Sequence, residues 1–187
     1  MKKRCAWVEG QFEDYIRYHD EEWGVPVHDD RKHFEFLVLE SAQAGLSWAT
    51  ILKKREGYRR AVADFDYHVV AGDGSGMVEE LLLDSSIIRN RAKIEATINN
   101  AQRFIEVQKE FGSFDKYIWS FVGEKTIVKP ANQKKSIITT PESDALSKDL
   151  KKRGFKFLGS TTIYAHMQAI GLVNDHAGDC FRYHELT

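Results

Sequence analysis

Glu40 is chemically isolated: across the 17 residues from Phe36 to Leu52 it is the one charged side chain. The four residues before it, Phe36-Leu37-Val38-Leu39, point in every direction around a helix, so this part of the helix is expected to be enclosed on most sides. A carboxylate there must find hydrogen-bond donors, a cation or a wet pocket, because burying it bare is costly. Gln43 and Trp48 lie near it in sequence, while Trp7, Tyr18 and Trp23 come from the N-terminal segment. One reading is a core glutamate capped by backbone donors. The other is a pocket with aromatic walls and an anionic floor, suited to a flat cationic ligand through stacking and cation–π attraction.

A second group is built from thiols and imidazoles. Cys5 and His19 form an N-terminal pair, and His176 and Cys180, in H-x3-C spacing, a C-terminal pair. Two thiolates and two imidazoles make a closed tetrahedral zinc set, which would clip the chain ends together without leaving a coordination position for catalysis. A Cys5–Cys180 disulfide and four unconnected residues are the alternatives. His28, His33, His68, His166 and His184 have no partner cysteine in such a motif and read as surface or internally satisfied residues.

The third group is a turn. Gly154-Phe155-Lys156-Phe157-Leu158-Gly159 separates two helical patterns and runs into Ser160-Thr161-Thr162. Its glycines allow a tight turn and close approach of a ligand, and the free N–H groups of the next helix start form an anion site. Lys151, Lys152, Arg153 and Lys156 add charge beside it. DNA phosphate is the ligand this suits, as a contact that positions without reading sequence. An ordinary helical hairpin with a glycine cap is the alternative.

The elements that must position these groups read as helices nearly throughout. Asp29 or Asp30 caps a helix over 31–44 that Gly45 stops, and Ser47 caps the next, which carries Trp48, Ile51 and Leu52. A helix over 89–110 places Ile94, Ile98, Ala101 and Ile105 on one stripe and ends at Gly112. Ser113 starts a short aromatic helix, Ser143 opens another that Gly154 ends, and the last runs over 161–170. Strand alternation is absent, and 125–140 reads as one extended lysine-bearing loop. The expected class is all-α.

Bulk properties narrow the function classes. The 187 residues carry 27 Lys+Arg and 28 Asp+Glu, for a net charge of −1, which argues against a wholly basic nucleic-acid binder. Locally, however, residues 123–160 hold 9 basic and 4 acidic side chains, a stretch of +5 that includes the hairpin. A solvated face is the plain explanation of such a run; a phosphate-binding surface is the other. No apolar run reaches a membrane span, and the N-terminus lacks the apolar core of a signal peptide, so a cytoplasmic protein is expected. Two cysteines are too few for a disulfide framework.

These motifs occur together in a known pattern. The stretches Arg4-Cys5-Ala6-Trp7, Tyr18 to Pro26, Gln43 to Trp48, Leu52 to Glu56, Ile87 to Arg91, Trp119 to Val122, Ser143 to Phe157 and Gly171 to His176 occur in order along almost the whole chain. In them the sequence strongly resembles the bacterial 3-methyladenine DNA glycosylase I family. The resemblance implies a single glycosylase domain over 1–187 of helix–hairpin–helix type, with the motif at about 143–171. It would bind double-stranded alkylated DNA as a monomer, flip out N3-methyladenine, hydrolyse the glycosidic bond and release 3-methyladenine. It implies one structural zinc per chain at Cys5, His19, His176 and Cys180. It also places Glu40 as the pocket carboxylate and Trp7, Tyr18, Trp23 and Trp48 as its walls, with Tyr18 and Trp48 expected to sandwich the base. The divergent segments, between Trp7 and Tyr18, over 71–77 and after Cys180, are expected to touch neither pocket nor metal.

An adenine methylated at N3 already carries positive charge and leaves without protonation, so holding the cation matters more than a strong general acid. Flipping costs a few kcal/mol, less for a damaged base. Gly45-Leu46 is a candidate wedge for the vacated stack, and Lys152, Arg153, Gly154, Lys156, Gly159, Ser160 and Thr161 are the candidate DNA contacts. Asp175, beside a metal ligand, is assigned a structural role. With no lysine in the Glu40 stretch, no Schiff-base step is expected. Two other readings are a glycosylase that also takes 7-methylguanine and a non-catalytic DNA-binding module; the latter has no use for Glu40.

Overall fold

The computed structural model describes residues 2–72, 75–132 and 137–187. Its helices are α1 (Glu13–Arg17), α2 (Asp30–Gln43), α3 (Trp48–Ala61), α4 (Tyr67–Gly72), α5 (Ser75–Leu83), α6 (Arg91–Phe111), α7 (Phe114–Ser120), α8 (Pro141–Lys152), α9 (Ser160–Ala169) and α10 (Phe181–Glu185). A turn of π-helix, Tyr18–Glu22, extends α1.

Capping chemistry sets most boundaries. The Asp29, Ser47, Asn90 and Ser113 side chains each accept a hydrogen bond from a first-turn backbone N–H, at the starts of α2, α3, α6 and α7. Asp30 is the first residue of α2, and its carboxylate instead accepts from the N–H groups of Phe114 and Asp115, tying the start of α7 to α2. Ser143 does not open α8. Thr140 is the cap, Pro141 the first helical residue and Ser143 the third, closing a reciprocal capping box with Thr140.

α2 is the central helix. All ten residues from His33 to Ala42 are buried, and α9, α3, α6 and α7 surround it. Its apolar residues reach every side of the helix, as in a helix that belongs inside, and its buried His33, Glu35 and Ser41 each have a partner. Each large aliphatic or aromatic side chain buried there is worth about 1.5–3 kcal/mol against exposure. α8 and α9 pack together through the hairpin, whose Phe155 and Leu158 are buried while Phe157 is exposed.

One strand pair departs from the all-α expectation. β1 (Ile127–Val128) runs parallel to β2 (Val173–Asn174), Ile127 opposite Val173 and Val128 opposite Asn174. Two residues are too few to show alternation in sequence, and the partners are joined only by folding. The pair anchors the start of the lysine-bearing loop beside the C-terminal segment; residues 133–136 of that loop, Lys134 and Lys135 included, lie outside the described residues. Among the described residues no helix is long and apolar enough to cross a membrane.

Candidate functional site

Glu40 lies on α2 and is 4% exposed. Its Oε2 is buried without a hydrogen-bond partner among the described residues. Burial pushes its carboxyl up to about 8 from the usual 4.5, because the charged form loses its hydration. The carboxyl borders a cavity of about 160 Å³ lined by Trp7, Tyr15, Tyr18, Trp23, Gln43, Trp48, Ala165 and Gln168. All four wall residues expected from the sequence line this cavity together with Glu40, and Trp48 Nε1 is a second buried polar atom without a partner among the described residues.

The walls are built by separate elements. The π-helical turn supplies Tyr18, α2 ends in Gln43, α3 starts at Trp48, and α9 contributes Ala165 and Gln168. An ion network locks three of these together. Arg55 of α3 donates from both terminal nitrogens to Glu22 at 2.7 Å and from Nε to Glu35 of α2 at 2.8 Å. The Glu22 carboxyl is held down at about 2, with Arg55 and Lys32 overcoming the opposing effect of burial.

The stacking arrangement differs from the expected sandwich. The Tyr18 and Trp48 ring centroids lie 5.2 Å apart with planes 47° apart. A ring between two stacking faces needs a gap of about 7 Å, twice the optimal carbon–carbon contact. In this conformation, therefore, the two rings form adjoining walls. Two residues of the divergent segments also reach the sites. Tyr15 lines the pocket and packs edge-on against Trp7, and Phe181 packs near His19. Neither was legible from motif matching, because contact and not sequence pattern brings them in.

A second cavity, of about 200 Å³, shares Glu40, Gln43 and Ala165 with the first. Its remaining lining is Ala44, Gly45, Leu46, Thr161 and Thr162. The wedge candidate and the start of α9 therefore sit across a cleft that has Glu40 in its lining. Leu46 is 41% exposed, and Gly45 has φ +77°, a conformation that favours glycine.

In the hairpin, Lys152, Gly154, Lys156, Gly159 and Thr161 are exposed. Arg153 is not free for phosphate. Its guanidinium donates to Glu110 at 2.7 and 3.1 Å and to Asp149 at 2.6 Å, and sits over the Phe111 and Tyr117 rings. The Ser160 hydroxyl is also engaged, with Asp144 and Ser143. Local charge cannot reveal such acidic partners, since Glu110 comes from α6. The same helix clamps the hairpin: Asn100 accepts from Lys156 N at 2.8 Å and donates to its carbonyl at 2.9 Å.

Cys5, His19, His176 and Cys180 converge in a buried cluster, with all four ligand atoms within 4.8 Å of one another. Sγ of Cys5 lies 3.5 Å from His176 Nδ1, and Sγ of Cys180 lies 3.5 Å from His19 Nε2 and 3.6 Å from His176 Nδ1. The cysteines are free, with no disulfide between them. The far ring nitrogens are occupied: His19 Nδ1 donates to Asp20 at 2.8 Å and His176 Nε2 to the Trp23 carbonyl at 2.9 Å. That leaves Nε2 of His19 and Nδ1 of His176 facing the thiols, the orientation metal-binding imidazoles take. Burial lowers His176 to about 4, which keeps it neutral and able to ligate.

Asp175 pairs with Lys129 at 2.6 Å and accepts from Tyr164 and Gln168, so it braces a pocket residue from behind. The histidine expectation needs one correction: His166 is fully buried, yet neither ring nitrogen has a partner among the described residues. Lys93 also comes close to the Glu40 helix, which its sequence distance hides. Its Nζ donates to Ala42 and Ala44, and it lines neither the aromatic pocket nor the adjoining cleft.

The chain is similar to known proteins over nearly its whole length. A model of the methyladenine glycosylase family matches residues 7–183. The DNA-3-methyladenine glycosylase of Haemophilus influenzae is 49% identical over 96% of this chain and 97% of its own. DNA-3-methyladenine glycosylase 1 of Escherichia coli is 50% identical over 97% of each. A crystal structure of 3-methyladenine DNA glycosylase I superposes with a TM-score of 0.91 at 50% identity, covering 96% of this chain and 98% of that one. A variant enzyme of the same name, in complex with 3-methyladenine, gives 0.91 at 38% identity, covering 95% and 96%. With likeness of this extent in both sequence and fold, the chain belongs to the methyladenine glycosylase family.

Proposed function

We propose that the chain acts as a single DNA glycosylase domain that excises N3-methyladenine from alkylated double-stranded DNA and leaves an abasic site. The observation that carries the reading is that Glu40 and Trp48, each with a buried polar atom that has no partner among the described residues, line one aromatic cavity. Such atoms are costly unless a ligand completes them.

The chemistry is governed by charge. The methylated base arrives as a cation, and its approach draws the Glu40 carboxyl toward the ionised form that burial alone disfavours. Tyr18, Trp48, Trp7 and Trp23 enclose its faces and edges, and Gln43 and Gln168 offer amide groups to its polar rim. The C1′–N9 bond breaks with its electron pair moving onto the base, so 3-methyladenine leaves neutral. Water then adds to C1′ and loses a proton. Glu40 stabilises the cationic base and the developing oxocarbenium charge.

Exposed Lys152 and Lys156, with the backbone around Gly154, Gly159 and Thr161, take the phosphates, and Gly45-Leu46 fills the vacated stack. Cys5, His19, His176 and Cys180 hold one structural zinc, supported by their donor set, burial and imidazole orientation. The chain acts as a monomer in the cytoplasm. Incubation with methylated duplex DNA should release 3-methyladenine, identified by chromatography of the freed bases. Glu40→Gln should lower excision about 10- to 100-fold, the worth of one hydrogen bond to a charged group. Release of no methylated base would refute the assignment.

A further inference from the structure

Lys93 is a buried cation for which the excision chemistry has no use. It lies in the first turn of α6, 9% exposed, with its stem against the core. Its ammonium donates to the carbonyl of Ala42 at 2.8 Å and to that of Ala44 at 2.6 Å. Both carbonyls belong to the end of α2, where a helix has run out of amide partners and carries its negative dipole end. Burial lowers the lysine's pKa, so these two contacts are what offset its desolvation.

Ala44 leads directly into the turn read as the wedge. Gly45 reverses the chain at φ +77°, Leu46 N donates back to the Gln43 carbonyl at 2.6 Å, and the Leu46 side chain stands exposed before Ser47 caps α3. Upstream on the same stretch are Glu40 and Gln43, which border both cavities. The residue gripped by Lys93 is therefore the hinge between the pocket floor and the apolar tip.

We propose that Lys93 is a positioning residue for the DNA-engaging turn: by holding the Ala42 and Ala44 carbonyls it sets the direction in which Leu46 projects over the cleft. The proposal rests on the reading of Gly45-Leu46 as the wedge. Lys93 acts on DNA engagement through the turn, while the pocket, which it does not line, keeps its grip on the free base.

The test compares the parent with Lys93→Met, Lys93→Arg, Leu46→Ala and the Lys93→Met/Leu46→Ala double variant. Methionine keeps the stem and removes the donors. Affinity is measured for a duplex holding a tetrahydrofuran abasic nucleotide, which offers no base to the pocket, and for free 3-methyladenine. Lys93→Met and Leu46→Ala should each weaken duplex binding about tenfold with free-base affinity within about twofold, and the double variant should be no more than about twofold worse than Leu46→Ala. Lys93→Arg should recover most of the loss. Equal loss of duplex and free-base binding in Lys93→Met would show a merely structural role and overturn the proposal, as would no loss at all or fully multiplicative losses in the double variant. If Leu46→Ala alone leaves duplex binding unchanged, the wedge reading fails and takes this inference with it. If Leu46→Ala weakens binding and Lys93→Met does not, only the Lys93 inference falls.

Discussion

Glu40 shows what a buried carboxyl without a partner costs a fold. Between the usual pH of 4.5 and about 8 the unfolded chain has released this proton and the folded protein has kept it. The unfolded state binds fewer protons there, so this group makes stability fall as pH rises through that window. Glu40→Gln should abolish that contribution. Thermal unfolding at pH 8 should show the variant more stable by on the order of 1–2 kcal/mol, the usual scale of a stability–activity trade-off. Near pH 4, where both side chains are neutral, the difference should vanish. Parallel pH profiles for the two proteins would contradict the burial argument.

The elements act as supports for groups they do not themselves carry. α6 contributes no lining to the aromatic pocket, yet its Lys93 holds the end of α2 and its Asn100 holds both backbone groups of Lys156. Asn100→Ala would leave a half-buried N–H and carbonyl unpaired, at about 1–3 kcal/mol, and would loosen the hairpin. Affinity for undamaged duplex should drop while binding of free 3-methyladenine holds; equal loss of both would mean that the hairpin and pocket are one cooperative unit. The hairpin's turn was legible from its glycines and flanking periods. The roles of Arg153 and Ser160 were not, because their partners Glu110 and Asp144 are defined by packing.

For the whole molecule, the near-zero net charge conceals a division of labour. Of the +5 stretch over 123–160, Lys129 and Arg153 are consumed internally by Asp175, Glu110 and Asp149. The hairpin itself keeps three exposed cations, Lys151, Lys152 and Lys156, and if these three are what meets the phosphates the affinity for DNA should depend only modestly on salt. The two terminal segments meet: Phe181 N donates to the Lys3 carbonyl at 2.9 Å beside the Cys2His2 cluster. Without a cation, burial pushes the Cys5 thiol up to about 12, so metal uptake should release protons. Metal analysis should give about one zinc per chain. Chelation should lower Tm and expose the amides of both terminal segments to hydrogen exchange before those of α2. A metal-free protein of undiminished stability would exclude the zinc assignment.

The amino-acid sequence by itself determined the helical class, most caps, the isolated carboxylate and the residue types of the Cys2His2 cluster. Each of these is written in local periodicity, in side-chain chemistry within a turn, or in a family motif. Only the tertiary structure decided which rings adjoin which, that Tyr15 joins the pocket, that Arg153 is spent on Glu110 and Asp149, and that Lys93 grips the end of α2. Those outcomes depend on contacts between segments tens of residues apart, where burial and pairing are set by packing geometry and local pattern carries no information about the partner.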